Sequence, residues 1–217
     1  MHLFTTHLQA SYKYNNDALN ALNDAARLQQ IAEMGAFMRR KLHTCGCNGP
    51  VVVAGDLNVN ARPYSPVFTT TCGVSQEYTS MMQILKESSG MHVRDILLEA
   101  HPSGHPITYG DVHIDAYGAM RPADTVLTAP EDHCSMLCLD YILLLEPQTA
   151  VAEKATRIDT DIVTPHDYES HVTTASTQTM ASDTKVEKFE VKCGEHPFGY
   201  LSDHYGISTV LSAVCSQ

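Results

Sequence analysis

The stretch Val51-Val52-Val53-Ala54-Gly55-Asp56-Leu57-Asn58-Val59-Asn60 decides the reading of this chain. Four small or β-branched apolar residues in a row fit a strand covered on both faces, as in an α/β sheet. Polar residues follow at once, where such sheets place ligand groups. A strand repeats every two residues, so Asp56 and Asn58 are expected on one face.

Upstream, residues 17–42 carry apolar residues at helical spacing, with Leu19, Leu22, Ala26, Ile31, Met34, Phe37 and Met38 in the stripe. Asn16 or Asp17 can cap its start, and Arg39, Arg40 and Lys41 suit its end. Residues 2–8, HLFTTHL, read as a strand. Downstream, 78–87 reads as a second helix and 93–98 as a short apolar stretch. Residues 101–123 read as a loop rich in Gly and Pro. Residues 137–145 read as a buried strand that carries Asp140. The segment 148–192 is irregular and rich in Thr, Ser, Asp and Glu, with one strand expected near 189–191. Ser202-Asp203-His204 precedes a final strand over 205–213. There is no internal repeat and no low-complexity tract.

Composition removes several function classes. The 217 residues hold 14 Lys+Arg against 25 Asp+Glu, a net charge of −11. That balance gives no basic track for nucleic acid, so no nucleic-acid partner is favoured. It also disfavours anionic membrane surfaces. No run of about 18 uncharged apolar residues can span a bilayer. The N-terminal MHLFTTHLQA lacks the pattern of a signal peptide. Seven cysteines, an odd number, point to reduced thiols and an intracellular or peripheral-membrane setting. Cys45-Gly-Cys47 and His133-Cys134-x3-Cys138 lack the usual spacing of a structural zinc site.

Four polar elements sit beside expected strands: Thr6-His7, Asp56-x-Asn58, Asp140 and Asp203-His204. Each has a plain alternative as a turn residue or a satisfied histidine. Asp140 is the hardest to dismiss, because an unpartnered buried carboxylate is costly. Together they supply three carboxylates, one amide and two imidazoles. That inventory suits metal-assisted phosphodiester hydrolysis. Mg²⁺ prefers oxygen ligands, and an imidazole moves protons near neutral pH.

These residues also carry a resemblance. Thr5-Thr6-His7-Leu8-Gln9-Ala10, VVVAGDLNVN, LDYILL and LSDHYGI resemble the endonuclease/exonuclease/phosphatase (DNase I-like) superfamily, in that family's order. The His-Leu-Gln-Ala and Gly-Asp-Leu-Asn-Val-Asn forms, with Arg27-x-x-Gln30, most resemble neutral sphingomyelinases. The resemblance implies an α/β fold, a four-layer α/β/β/α sandwich with the site at one edge. It implies hydrolysis of sphingomyelin to ceramide and phosphocholine at a membrane surface, with Mg²⁺ (or Mn²⁺) as cofactor. Nuclease or phosphoinositide phosphatase activity is the alternative within the superfamily.

By the same resemblance, Asp56 orients water or holds metal, and Asn58 holds a phosphate oxygen. His204 is the acid/base imidazole, oriented by Asp140, and His7 is the second imidazole. The metal set is Asp56, Asn58, Asp203 and His204. Thr108-Tyr109 resembles a substrate-loop element. The family's early Asn strand and Gln-Glu strand, whose Glu is a metal ligand, have no counterpart in this sequence. The chain is therefore expected to be the C-terminal portion of one such domain, with its first sheet incomplete and a loop-like insertion around 148–188. A catalytically inactive remnant is the remaining alternative.

Overall fold

The computed structural model describes residues 1–11, 16–46, 49–63, 73–147, 177–188 and 202–215. In chain order its elements are β1 (His2–His7), α1 (Asp17–Cys45), β2 (Val51–Asp56), α2 (Gln76–Ser89), β3 (Met91–Asp95) and α3 (Ile96–Ala100). There follow β4 (Tyr109–Gly110), β5 (Val112–Ile114), β6 (Met120–Pro122), β7 (Met136–Leu137), β8 (Asp140–Pro147), β9 (Thr177–Glu187) and β10 (Gly206–Cys215).

The valine run forms β2, inside a four-stranded sheet of order β1-β2-β8-β3. β1 and β2 are parallel, joined by the long crossover that contains α1. β8 runs antiparallel to both β2 and β3. Alternation along β2 divides the core. Val51 and Val53 join Leu143, Leu145, Ile31, Met38, Met81 and Leu85 on the helix side. Val52 and Leu144 face the other way, with Ile96 and the partly buried Ala181 and Leu211 of the β9–β10 hairpin. The described residues thus form a mixed α/β fold of three layers: the α1–α2 pair, the sheet, and the hairpin with α3. No fourth layer occurs among them.

Asn16 caps α1, its side chain accepting the Ala18 and Leu19 N–H groups, and Gly46 ends it in the left-handed region. The buried stripe is Arg27, Ile31, Gly35 and Met38; Ile31 and Met38 belong to the expected stripe, whereas Leu19 and Leu22, also expected in it, are exposed. At Gly35 a Cβ would lie 1.9 Å from Ser88 Oγ, so α1 and α2 meet closely there. Three further expectations change. The region 101–123 contains β4, β5 and β6 rather than only loop. Residues 177–187 form β9, inside the stretch expected as an insertion. Cys45 is in a disulfide, against the expectation of reduced thiols, whereas Cys134 and Cys138 are free. The strand expected near 189–191, and residues 148–176, lie outside the described residues.

Candidate active site

Asp56 ends β2 directly opposite Asp140, the first residue of β8. The approach of β1 to this point depends on Gly55, at φ 144°, where a Cβ would meet the Thr6 carbonyl oxygen at 2.1 Å. After Asp56 the strand stops. Asn58 adopts φ 52°, and its N–H donates to Asp56 Oδ1 at 2.8 Å, an Asx turn. Its Nδ2 donates to Asp56 Oδ2 at 3.2 Å and to the Leu8 carbonyl at 3.0 Å. Asp56 and Asn58 therefore converge through a turn, and not through the two-residue period of a continuing strand. Asn60 locks the same loop, its Oδ1 accepting the N–H groups of Arg62 and Cys138.

His204 arrives from the other end of the chain. The backbone around it pairs with β4: Tyr109 bridges His204, Gly110 N–H donates to the Asp203 carbonyl, and Tyr205 N–H donates to the Thr108 carbonyl. His204 Nδ1 lies 2.9 Å from Asp140 Oδ2, and its Nε2 lies 3.8 Å from Asp56 Oδ2. The Tyr109 ring stands 4.9 Å from the imidazole, centroid to centroid. His7 reaches Asp56 from the opposite flank, Nε2 to Oδ2 3.3 Å, with its side chain 72% exposed. The structure thus brings His7, Asp56, Asn58, Asp140 and His204 together. Asp203 stands outside this group.

Electrostatics follow from that geometry. Burial pushes the Asp56 carboxyl up, and the facing Asp140 adds to the push. The Asn58 N–H and the two imidazoles offset only part of it. Burial opposes a charged His204. The hydrogen bond and charge of Asp140, with Asp56 and Asp203 behind it, outweigh burial and hold the imidazole above its ordinary value. With Nδ1 committed to Asp140, Nε2 is the nitrogen free to exchange a proton toward Asp56.

Asp56, Asp140 and His204 offer ligand atoms within 4.8 Å of one another, the one such His/Cys/Asp/Glu group among the described residues. Two carboxylates opposed across a ladder repel, and a divalent cation between them relieves that repulsion. Oxygen donors of this kind fit Mg²⁺. His133, Cys134 and Cys138 form no such group.

Thr108, Arg27 and Gln30, named above only through the family resemblance, support the site from outside it. Thr108 is fully buried, and its hydroxyl accepts from the N–H groups of Leu139 and Asp140. Arg27, 1% exposed, binds Glu77, Asp24 and the Gln9 carbonyl. Gln30 accepts the Gln9 N–H. The pair Arg27 and Gln30 therefore fixes the loop that follows His7.

The chain is similar to a sphingomyelinase. That relative, from Dictyostelium discoideum, is 31% identical over 235 aligned residues, 97% of this chain and 50% of the relative. The chain spans half the length of the curated sphingomyelinase it matches. No family model matches it, and no solved structure does.

Proposed function

We propose that the chain carries the phosphodiesterase site of a sphingomyelinase-like hydrolase that cleaves sphingomyelin to ceramide and phosphocholine. The observation that carries this reading is the His204–Asp140 pair facing Asp56, with His7 on the other flank. Similarity to a sphingomyelinase over nearly the whole chain supports the substrate class.

In this reading Asp140 fixes the His204 ring, and Nε2 accepts the proton of a water that Asp56 orients. Asp140 stabilises the imidazolium that forms, the same interaction that raises its proton affinity. The water oxygen bonds to phosphorus as the bond to the ceramide oxygen breaks, and His7 gives that oxygen its proton. Asn58 holds a phosphate oxygen. Asp56 and Asp140 would hold the cation, Mg²⁺ or Mn²⁺. When bound, such a cation neutralises the phosphate and stabilises the charge that builds up during attack.

The test is phosphocholine release from sphingomyelin with Mg²⁺ present. Asp56→Ala and His204→Ala should each lower it by about 100-fold or more. Undiminished release by both variants sinks the assignment. Faster cleavage of DNA or a phosphoinositide moves the substrate elsewhere in the superfamily. A cooperative melt with no hydrolysis of any of these points to a non-catalytic chain.

A further inference from the structure

His204 is carried by little backbone. It forms a single antiparallel bridge with Tyr109. Gly110 N–H donates to the Asp203 carbonyl at 3.3 Å, and Tyr205 N–H donates to the Thr108 carbonyl at 2.8 Å. Regular pairing resumes only at Gly206, which faces Glu187 of β9. Two backbone bonds, one of them long, are thin support for an imidazole that must stay aimed at Asp56. Successive side chains of an extended chain point to opposite sides. With His204 turned to Asp140, Tyr205 turns away from the site. There its hydroxyl stands 2.7 Å from the Gly110 carbonyl oxygen and 2.9 Å from Asp111 Oδ2. The Lys188 ammonium, one residue past β9, donates to that same Oδ2 and lies 4.8 Å from the centre of the Tyr205 ring.

Asp111 holds its place at a cost. It adopts φ 148°, a conformation that favours glycine. Its N–H donates to the Ser135 carbonyl and its own carbonyl accepts from Ala123 N–H, both at 3.0 Å, and its Oδ1 accepts from Val112 N–H at 2.7 Å. Side chains stay in such a conformation only where their surroundings over-determine it, and such places cluster at active sites. Burial pushes the Asp111 carboxyl up, yet Lys188, the Val112 N–H and Tyr205 together hold it below its ordinary value. Burial and Asp111 push the Tyr205 hydroxyl up to about 12, against the pull of Lys188. The hydroxyl therefore keeps its proton and remains a donor between an ion pair and the carbonyl of β4. None of these three side chains has a part in the chemistry assigned above.

We propose that Tyr205 is a positioning residue for His204. Its hydroxyl, locked by the Asp111–Lys188 ion pair, holds the backbone of residues 203–205 against β4 and so sets where the His204 ring meets Asp140. This role rests on the catalytic reading of His204. Support of this kind, from groups that never touch the substrate, is what keeps a reacting side chain within the tolerance of its geometry.

Tyr205→Phe removes one oxygen and keeps the ring beside Lys188. Phosphocholine release from sphingomyelin with Mg²⁺ should show kcat lower by about tenfold and KM within about twofold, part of the roughly 100-fold that a 1 Å displacement costs. Asp111→Gly is the second variant. It suits φ 148° and deletes the carboxylate, so kcat should fall by a similar factor in a protein that still melts cooperatively. The spectroscopic readout is the nuclear Overhauser contact between the Tyr109 and His204 rings, whose centroids lie 4.9 Å apart. Both variants should weaken it, whereas the contact between the Phe4 and Phe37 rings, on β1 and α1, stays as in wild type. Three results overturn the proposal. These are kcat within about twofold of wild type in both variants, a raised KM with kcat unchanged, which makes the hydroxyl a substrate contact, and a lower kcat with the Tyr109–His204 contact intact. If the wild-type chain hydrolyses no substrate, the catalytic reading fails, and the ring contact in the two variants still decides the positioning.

Discussion

Thr108→Val isolates one hydroxyl oxygen that joins the two ends of the site. Thr108 is fully buried, and that oxygen accepts from Leu139 N–H at 2.9 Å and Asp140 N–H at 3.1 Å. Its backbone carbonyl accepts from Tyr205 N–H at 2.8 Å, beside His204. Valine keeps the shape and removes the acceptor. Each buried donor left without a partner costs about 1–3 kcal/mol. With some relaxation the pair should cost about 3 kcal/mol, a large share of the roughly 5–15 kcal/mol by which a domain is stable. Thr108→Ser keeps the hydroxyl and loses one methyl, about 1 kcal/mol. Urea unfolding followed by circular dichroism should therefore rank wild type above Thr108→Ser above Thr108→Val. Phosphocholine release should fall further than stability alone explains in Thr108→Val, because Asp140 loses its backbone anchor; a shift near 1 Å costs about 100-fold. Two results would refute the reasoning. Thr108→Val lying within about 0.5 kcal/mol of wild type is one, and Thr108→Ser lying below Thr108→Val is the other, since that outcome makes the methyl the important group.

Arg27→Met should cost about 2–3 kcal/mol in the same unfolding assay. It strips a buried cation from Glu77 and the Gln9 carbonyl, with partial solvation of Glu77 and Asp24 softening the loss; an unchanged midpoint sinks the claim. Gly55→Ala should cost about 2–4 kcal/mol and part β1 from β2 beside Asp56, because its Cβ would sit 2.1 Å from the Thr6 carbonyl oxygen at φ 144°. Backbone amide shifts confined to residue 55 itself would contradict that. The metal-free His204 imidazole should titrate above 6.5 by nitrogen NMR. Its folded value is raised, so its contribution to stability is full below the unfolded value and disappears as pH rises through the folded one. Asp140→Asn should bring the titration down; no change there shows that Asp140 is not the partner.

How much of this was legible in the chain depends on whether the cause was local. The valine run declared β2 because burial on both faces leaves no polar position. Helix α1 was legible in extent but not in orientation. Its anchor is the buried Arg27, which hydropathy reads as surface, while Leu19 and Leu22 near its start are exposed. The 177–187 stretch looked like loop because one face of its hairpin is exposed and polar. A register shift between Ser208 and Val210, opposite Asp183 at φ 51°, further breaks the alternation. In the site, the residue types and their places at strand ends were visible. The turn that folds Asn58 back on Asp56 is local and stood among the alternatives, but its tie to the Leu8 carbonyl, 50 residues away, was not visible. Nor was the bridge between Tyr109 and His204, which only the tertiary fold creates.

The facing of Asp56 and Asp140 sets two carboxylates directly opposite each other in the sheet, and it yields the sharpest test of the cation. Like charges directly opposite on neighbouring strands destabilise a ladder. The raised carboxyl of Asp56 records that cost together with burial. An acid whose folded value is raised opposes folding once pH exceeds its unfolded value, so at neutral pH ionised Asp56 is a net burden. Local rules broken in this way are expected where function is placed. A cation binding only the folded form reverses the sign. At ten times its dissociation constant it adds about 1.4 kcal/mol, or a rise of roughly 3–5 °C in Tm for a chain of this size. Asp56→Asn keeps an oxygen for the Asn58 N–H and removes the charge. It should melt higher than wild type without metal and gain nothing from Mg²⁺ or Mn²⁺. A metal-dependent rise that survives Asp56→Asn would place the cation elsewhere. A metal-free midpoint below wild type would mean that the hydrogen bonds of the Asp56 carboxylate outweigh its repulsion by Asp140, and the pair would then be no burden for a cation to relieve.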